Sequence, residues 1–132
     1  MPIKFTAIRP KKPVIVTKQV EARLAHELNT FVAAVEDRMA TYPTQAPTKS
    51  GYRRTMTLSR SWSIVPARRV GSSLVAQVGS NSKIAPYNIF VEGEQQTAEM
   101  RRRNWPRIME VCKELWPKSM ARIRAVLASA GD

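Results

Sequence analysis

The chain has 132 residues, 43% of them hydrophobic, and 22 Lys and Arg against 10 Asp and Glu give it a formal net charge of +12. That length suits one domain with a single core, and no apolar run approaches the ~20 residues that cross a bilayer, which excludes a membrane-spanning helix. A lone cysteine, Cys112, excludes an internal disulfide and fits a reducing compartment, and the N-terminus lacks the apolar stretch of a secretion signal.

Met1 to Gln19 carries five basic and no acidic residues, Lys49 to Val70 six and none, and Arg101 to Asp132 eight against three, while the stretches between are slightly acidic. Such blocks attract a polyanion; as single residues they equally suit a solvated surface.

Residues 1–16 open with Ile3, Phe5 and Ala7 alternating with Lys4 and Thr6, then break at Pro10 and Pro13, which predicts a short strand or a basic arm. Residues 17–41 form a predicted helix: Val20, Leu24, Leu28, Phe31, Val35 and Met39 step by three or four, Thr17 is the N-cap, and Tyr42-Pro43 ends it. His26 lies off that stripe, as an exposed polar residue and not a ligand. Residues 43–51 read as a loop, disordered or in contact with a partner.

Residues 52–93 are expected to hold the sheet and a corner. Tyr52 to Trp62 predicts a strand or a single helical turn, with Thr57 as its cap and Trp62 as a core anchor. Ser63 to Val70 and Ser73 to Gly79 then form a hairpin around Gly71-Ser72, a glycine-first loop of the II′ kind. Counting from that turn sets Val65 opposite Val78, Ala67 opposite Ala76 and Arg69 opposite Leu74. Pro66 makes the first strand an edge or gives it a bulge. Tyr87, Phe90 and Val91 recur at helical spacing, so Pro86 to Glu92 is a helical turn with Gly93 as its stop.

Residues 94–104 show no apolar period and predict a loop ending in Arg101, Arg102 and Arg103. Residues 105–130 are the C-terminal helix, capped by Asn104, with Ile108, Cys112 and Leu115 and then Met120, Ile123 and Leu127 facing the core. The change of phase predicts a kink at Trp116-Pro117. Cys112 falls on the apolar face as a small core residue. The fold class is therefore α+β, a small, mostly antiparallel sheet packed by a long N-terminal helix and a kinked C-terminal helix.

No Walker loop, Cys-x-x-Cys or Gly-x-Ser-x-Gly is present, and Glu92, Glu94 and Glu99 lack the accompanying residues of a nuclease metal site. The expectation is a non-enzyme without cofactor or metal. No short-turn helix pair suggests a helix-turn-helix. A nonspecific nucleic-acid-binding protein remains an alternative on charge alone.

Two segments carry a resemblance. Arg54-Thr55-Met56-Thr57-Leu58-Ser59-Arg60-Ser61, the hairpin, Ala85-Pro86-Tyr87-Asn88-Ile89-Phe90-Val91-Glu92-Gly93 and a last helix entered through Arg103-Asn104-Trp105-Pro106 follow one another in that order. From Tyr52 onward the chain resembles the head-to-tail connector and tail-completion (neck) proteins of tailed bacteriophages, the minor tail protein Z-like family. Met56 stands where that family usually has Gly, and Glu92 directly precedes Gly93 where the family spaces them by one residue. The resemblance implies a structural virion protein, made in the host cytoplasm, that assembles as a homo-oligomeric ring of six around the DNA channel and contacts neighbouring neck and tail proteins and the passing genome, with no membrane partner. The candidate subunit or DNA-channel contacts are Lys49, Arg53, Arg54, Arg68, Arg69, Glu92, Arg101, Arg102 and Arg103.

Overall fold

A computed structural model describes residues 2–6, 17–43 and 57–130, with side chains placed for 17–43 and 57–129. The elements in chain order are strand β1 (Pro2–Thr6), helix α1 (Lys18–Ala40), the short turn α2 (Thr57–Ser61), strands β2 (Trp62–Val70) and β3 (Ser73–Ser80), the turns α3 (Asn88–Val91) and α4 (Ala98–Arg102), and helix α5 (Ile108–Ala130). This is an α+β fold in which a three-stranded antiparallel sheet of order β1-β3-β2 carries two long helices.

α1 begins where Thr17 Oγ1 accepts the Val20 N–H at 3.2 Å, the cap that its sequence predicts. Its buried residues Leu24, Leu28, Phe31, Val32, Val35 and Met39 cover an arc of roughly 100° at 100° per residue, wide enough to meet both β2 and β3 and, beyond them, α5. α5 runs antiparallel to α1. Arg23 reaches Ser129, Phe31 packs edge-on against Trp116 at 4.9 Å, and Arg38 forks onto Glu114 at 2.8 and 3.4 Å, so positions rise along one helix as they fall along the other. Ile108, Val111, Cys112, Met120, Ile123 and Val126 fill the facing side. Pro117 lies inside α5, which continues as one helix to Ala130; the N–H that proline lacks would have bonded at exposed Lys113.

The hairpin turns at Gly71, whose φ of 63° is the left-handed value a glycine-first turn needs. Near the turn the register is as counted, with Arg69 opposite Leu74. Past it the register differs: Arg68 pairs with Val75 but Val65 pairs with Gln77, so Pro66 and Ala67 together oppose Ala76. Ile64, not Val65, consequently meets Val78, and Val65 is turned out and 39% exposed. The cause is Pro66, which has no N–H for the ladder, and the displaced Ala67 N–H is taken by Asn29 Oδ1 of α1 at 2.6 Å. β2 is the edge of the sheet that this proline predicts, and β1 adds at the other side of β3 with Ile3 opposite Val78 and Phe5 opposite Ala76.

Two boundaries after the corner differ from expectation. The stretch 94–104 contains α4, capped by Thr97 Oγ1 on the Met100 N–H. Asn104 does not open the last helix; it closes α4. Its φ is 64°, its N–H bonds the Arg101 carbonyl at 3.0 Å and the Trp105 N–H bonds the Met100 carbonyl at 3.1 Å, the paired bonds of a Schellman ending. α5 therefore starts at Ile108 and not at residue 105. The 43–51 loop and the arm after Thr6 lie, apart from Pro43, outside the described residues.

Candidate functional site: a buried polar corner

The corner follows β3. Asn81 accepts the Ile84 and Ala85 N–H groups on its carbonyl and the Lys83 N–H on Oδ1 at 2.9 Å, a turn centred on one Asn side chain. Its own N–H bonds the Ser61 carbonyl at 2.8 Å, which ties the turn to the end of α2. α3 then runs for four residues, and Gly93 follows with a close approach that only glycine permits: a Cβ there would lie 2.7 Å from Ile89 Cα and 2.8 Å from the Ile89 carbonyl oxygen.

Which face of this turn is buried is the reverse of what its apolar spacing suggests. Tyr87 and Phe90 are 45% and 48% exposed, whereas Asn88 and Glu92, one turn apart, are 4% and 0% exposed. Polar groups on the neighbouring elements accept them. Asn88 Nδ2 donates to Ser80 Oγ at 2.9 Å, Ser80 and Ser61 hydroxyls meet at 2.7 Å, Ser61 donates to the Leu58 carbonyl at 2.6 Å, and Trp62 Nε1 donates to Glu92 Oε1 at 3.1 Å. The Glu92 carbonyl accepts the Ile108 N–H at 2.9 Å, and Gln96 Nε2 bridges the Val91 and Trp105 carbonyls, so the same corner sets the start of α5.

Glu92 has no ion-pair partner among the described residues, and its Oε2 is buried without a hydrogen bond. Burial pushes its carboxyl up to about 8, with the Trp62 bond as a smaller opposing effect, so near neutrality the group is mostly a neutral acid. Burial likewise raises the Cys112 thiol to about 11, as befits a small core residue. Beside the corner, Trp62, Ser80, Asn88, Gly93, Glu94 and Ile108 help line a cavity of about 270 Å³. A more open depression of about 320 Å³ lies between the end of α1 and the start of α5, where Arg38 is held by Glu114.

The candidate contact residues do not converge on this corner. Lys49, Arg53 and Arg54 lie outside the described residues. Arg68, Arg69, Arg101, Arg102 and Arg103 are exposed; Arg69 faces Glu21 at 3.5 Å, Arg101 pairs with Glu110, and Arg103 pairs with Glu99 at 2.7 Å. Glu92, expected as a surface contact, is an internal group of the folded chain. Nothing in the sequence marks Ser61, Ser80, Asn88 or Asn29 as hydrogen-bonding partners; Pro66 alone signals the bulge that Asn29 completes. Among the described residues no three His, Cys, Asp or Glu converge as metal ligands, and no helix is long and apolar enough to cross a membrane.

The geometry defines an α+β domain built around a hydrogen-bonded corner. No protein-family model, curated protein or solved structure matches the chain.

Proposed function

We propose that this chain is a structural virion protein of a tailed bacteriophage, a tail-completion or neck component that joins head and tail as an oligomeric ring around the DNA channel. What supports the reading is that the two segments carrying the resemblance meet in space: Ser61, the last residue of the first, is joined through Ser80 to Asn88 of the second, and Trp62, which follows it, donates to Glu92. Residues far apart in the chain thus form one unit. Around it, Ile84, Tyr87 and Phe90 present large apolar side chains at 44%, 45% and 48% exposure, a surface suited to protein contact.

The net charge of +12 favours a second reading, a nonspecific nucleic-acid-binding protein. Against it, Arg101 and Arg103 already neutralise Glu110 and Glu99. Sedimentation and negative-stain microscopy of the purified protein, together with duplex DNA binding across a salt series, separate the two. The ring reading expects closed oligomers in assembled particles, weak binding to DNA, and a greater loss of head-tail joining than of DNA affinity when Arg101, Arg102 and Arg103 become Ala. Tight, salt-steep binding by a monomer, with normal joining by the triple variant, would replace it with the second reading.

A further inference from the structure

Much of the positive charge on this protein is already engaged by carboxylates. Arg38 is held by Glu114, Arg69 by Glu21, Arg101 and Arg107 by Glu110, and Arg103 by Glu99. The solvent face of α5 differs. Lys113, Lys118, Arg122 and Arg124 are exposed there, and none is ion-paired among the described residues, which include every acidic residue of the chain except Asp132. Four cations on one helix thus keep their charge for a partner.

Helical geometry sorts these cations into two rows. At about 100° per residue, Lys113 and Arg124 lie roughly 60–80° to one side of Ala121, and Lys118 and Arg122 roughly 60–100° to the other. Exposed Pro117, Ala121, Ala125 and Ala128 occupy the strip between them. Glu110 and Glu114 begin the same face, but Arg101, Arg107 and Arg38 already neutralise them. From Lys113 to Arg124 the charged face runs roughly 16 Å along the axis at 1.5 Å per residue.

We propose that this face of α5 docks on a B-form DNA duplex, with its two rows of cations on the phosphates of the two strands and its small residues turned into the groove between them. Two rows of one charge fit a partner that presents two rows of the other. The major groove, about 12 Å wide, admits a helix of about 10–12 Å diameter between its phosphate walls. An anionic bilayer fits less well, because no Trp, Phe or Leu lies between the rows to enter it. Pro117 and the three alanines carry no side-chain donor or acceptor, so the contact is with the phosphate backbone and is blind to sequence. The same face would serve a genome in passage or a duplex held by a single chain, so the assignment does not rest on the virion reading.

Fluorescence anisotropy of a labelled duplex of about 20 base pairs, titrated with the full chain at salt from about 50 to 200 mM, reads the contact without any measurement of head-tail joining. Each phosphate contact contributes about 0.9 to the slope of log affinity against log salt. Lys118→Ala with Arg122→Ala, and Lys113→Ala with Arg124→Ala, should therefore each flatten that slope by about 1.8 and weaken binding at least tenfold at about 100 mM salt. Far-ultraviolet circular dichroism should stay the same, since alanine at an exposed helix position keeps the helix. Lys18→Ala with Lys83→Ala removes the same charge from exposed positions off α5 and should leave the slope nearly unchanged. Ala121→Phe keeps the charge yet should weaken binding severalfold by holding the helix off the groove, and duplexes of A·T pairs alone and G·C pairs alone should bind alike. Equal slopes for the α5 pairs and the Lys18 and Lys83 pair, a tenfold preference for one duplex, or no binding by the unaltered chain at about 50 mM salt would overturn the assignment. Tighter binding to phosphatidylserine vesicles than to DNA would overturn it in favour of a lipid surface.

Discussion

Replacing Glu92 with Gln isolates what a buried carboxyl costs this fold. Glu92 rises from an ordinary value of 4.5 to about 8 because its surroundings exclude water and, among the described residues, offer no cation, only the Trp62 indole at 3.1 Å. Below pH 4.5 both folded and unfolded chains hold the proton, and the group contributes no slope. Between pH 4.5 and 8 the unfolded chain ionises while the folded chain stays protonated, so stability falls as pH rises, at up to ~1.36 kcal/mol per pH unit. Over that window the loss approaches about 5 kcal/mol, with about 3 kcal/mol reached by pH 7; any opening of the corner that admits water reduces both figures. Gln keeps the oxygen that accepts from Trp62 and a donor in place of the hydroxyl, but cannot ionise. Urea unfolding followed by far-ultraviolet circular dichroism at unit steps from pH 4 to 9 should give curves for the two proteins that lie close together at pH 4 and diverge steadily, the Gln variant becoming the more stable. Taking the difference cancels the other titrating groups. Parallel profiles would mean that Glu92 is hydrated or paired, and the reasoning about the corner would fail.

Four further outcomes rest on the packing. Leu28→Ala should cost about 2–5 kcal/mol and Trp62→Ala about 3–5 kcal/mol in the same unfolding experiment, since Leu28 is fully buried and Trp62 also holds Glu92. Gly93→Ala should destabilise by about 1–3 kcal/mol, because its new methyl meets Ile89 backbone atoms that cannot rotate away; an unchanged melting temperature would contradict the close approach. Cys112 should react with a thiol reagent at pH 8 far more slowly in the native chain than in urea, and equal rates would place it outside the core.

The long-range plan of the fold is legible in the sequence because it rests on period. Leu24 to Met39 on α1, Ile108 to Ile123 on α5 and the alternation through Ala76 and Val78 each repeat often enough to define a buried face, and Thr17, Gly71 and Pro66 punctuate them with local chemistry that acts wherever the chain lies. What the tertiary structure alone decided is the corner and its boundaries. α3 is too short for its apolar residues to choose a side: Tyr87 and Phe90 face water because Ser80 and Trp62, brought from the hairpin, hold hydrogen-bonding groups where Asn88 and Glu92 arrive. Asn104 has the residue type of a helix cap, yet whether it starts one helix or ends another depends on α4 having formed before it. A side chain such as Asn29 shows no sign in the sequence of meeting Ala67, since the N–H it accepts becomes free only after Pro66 has shifted the strand by one residue. Periodic burial is a property of a segment with itself; a hydrogen bond between segments exists only once folding has brought both to the same place.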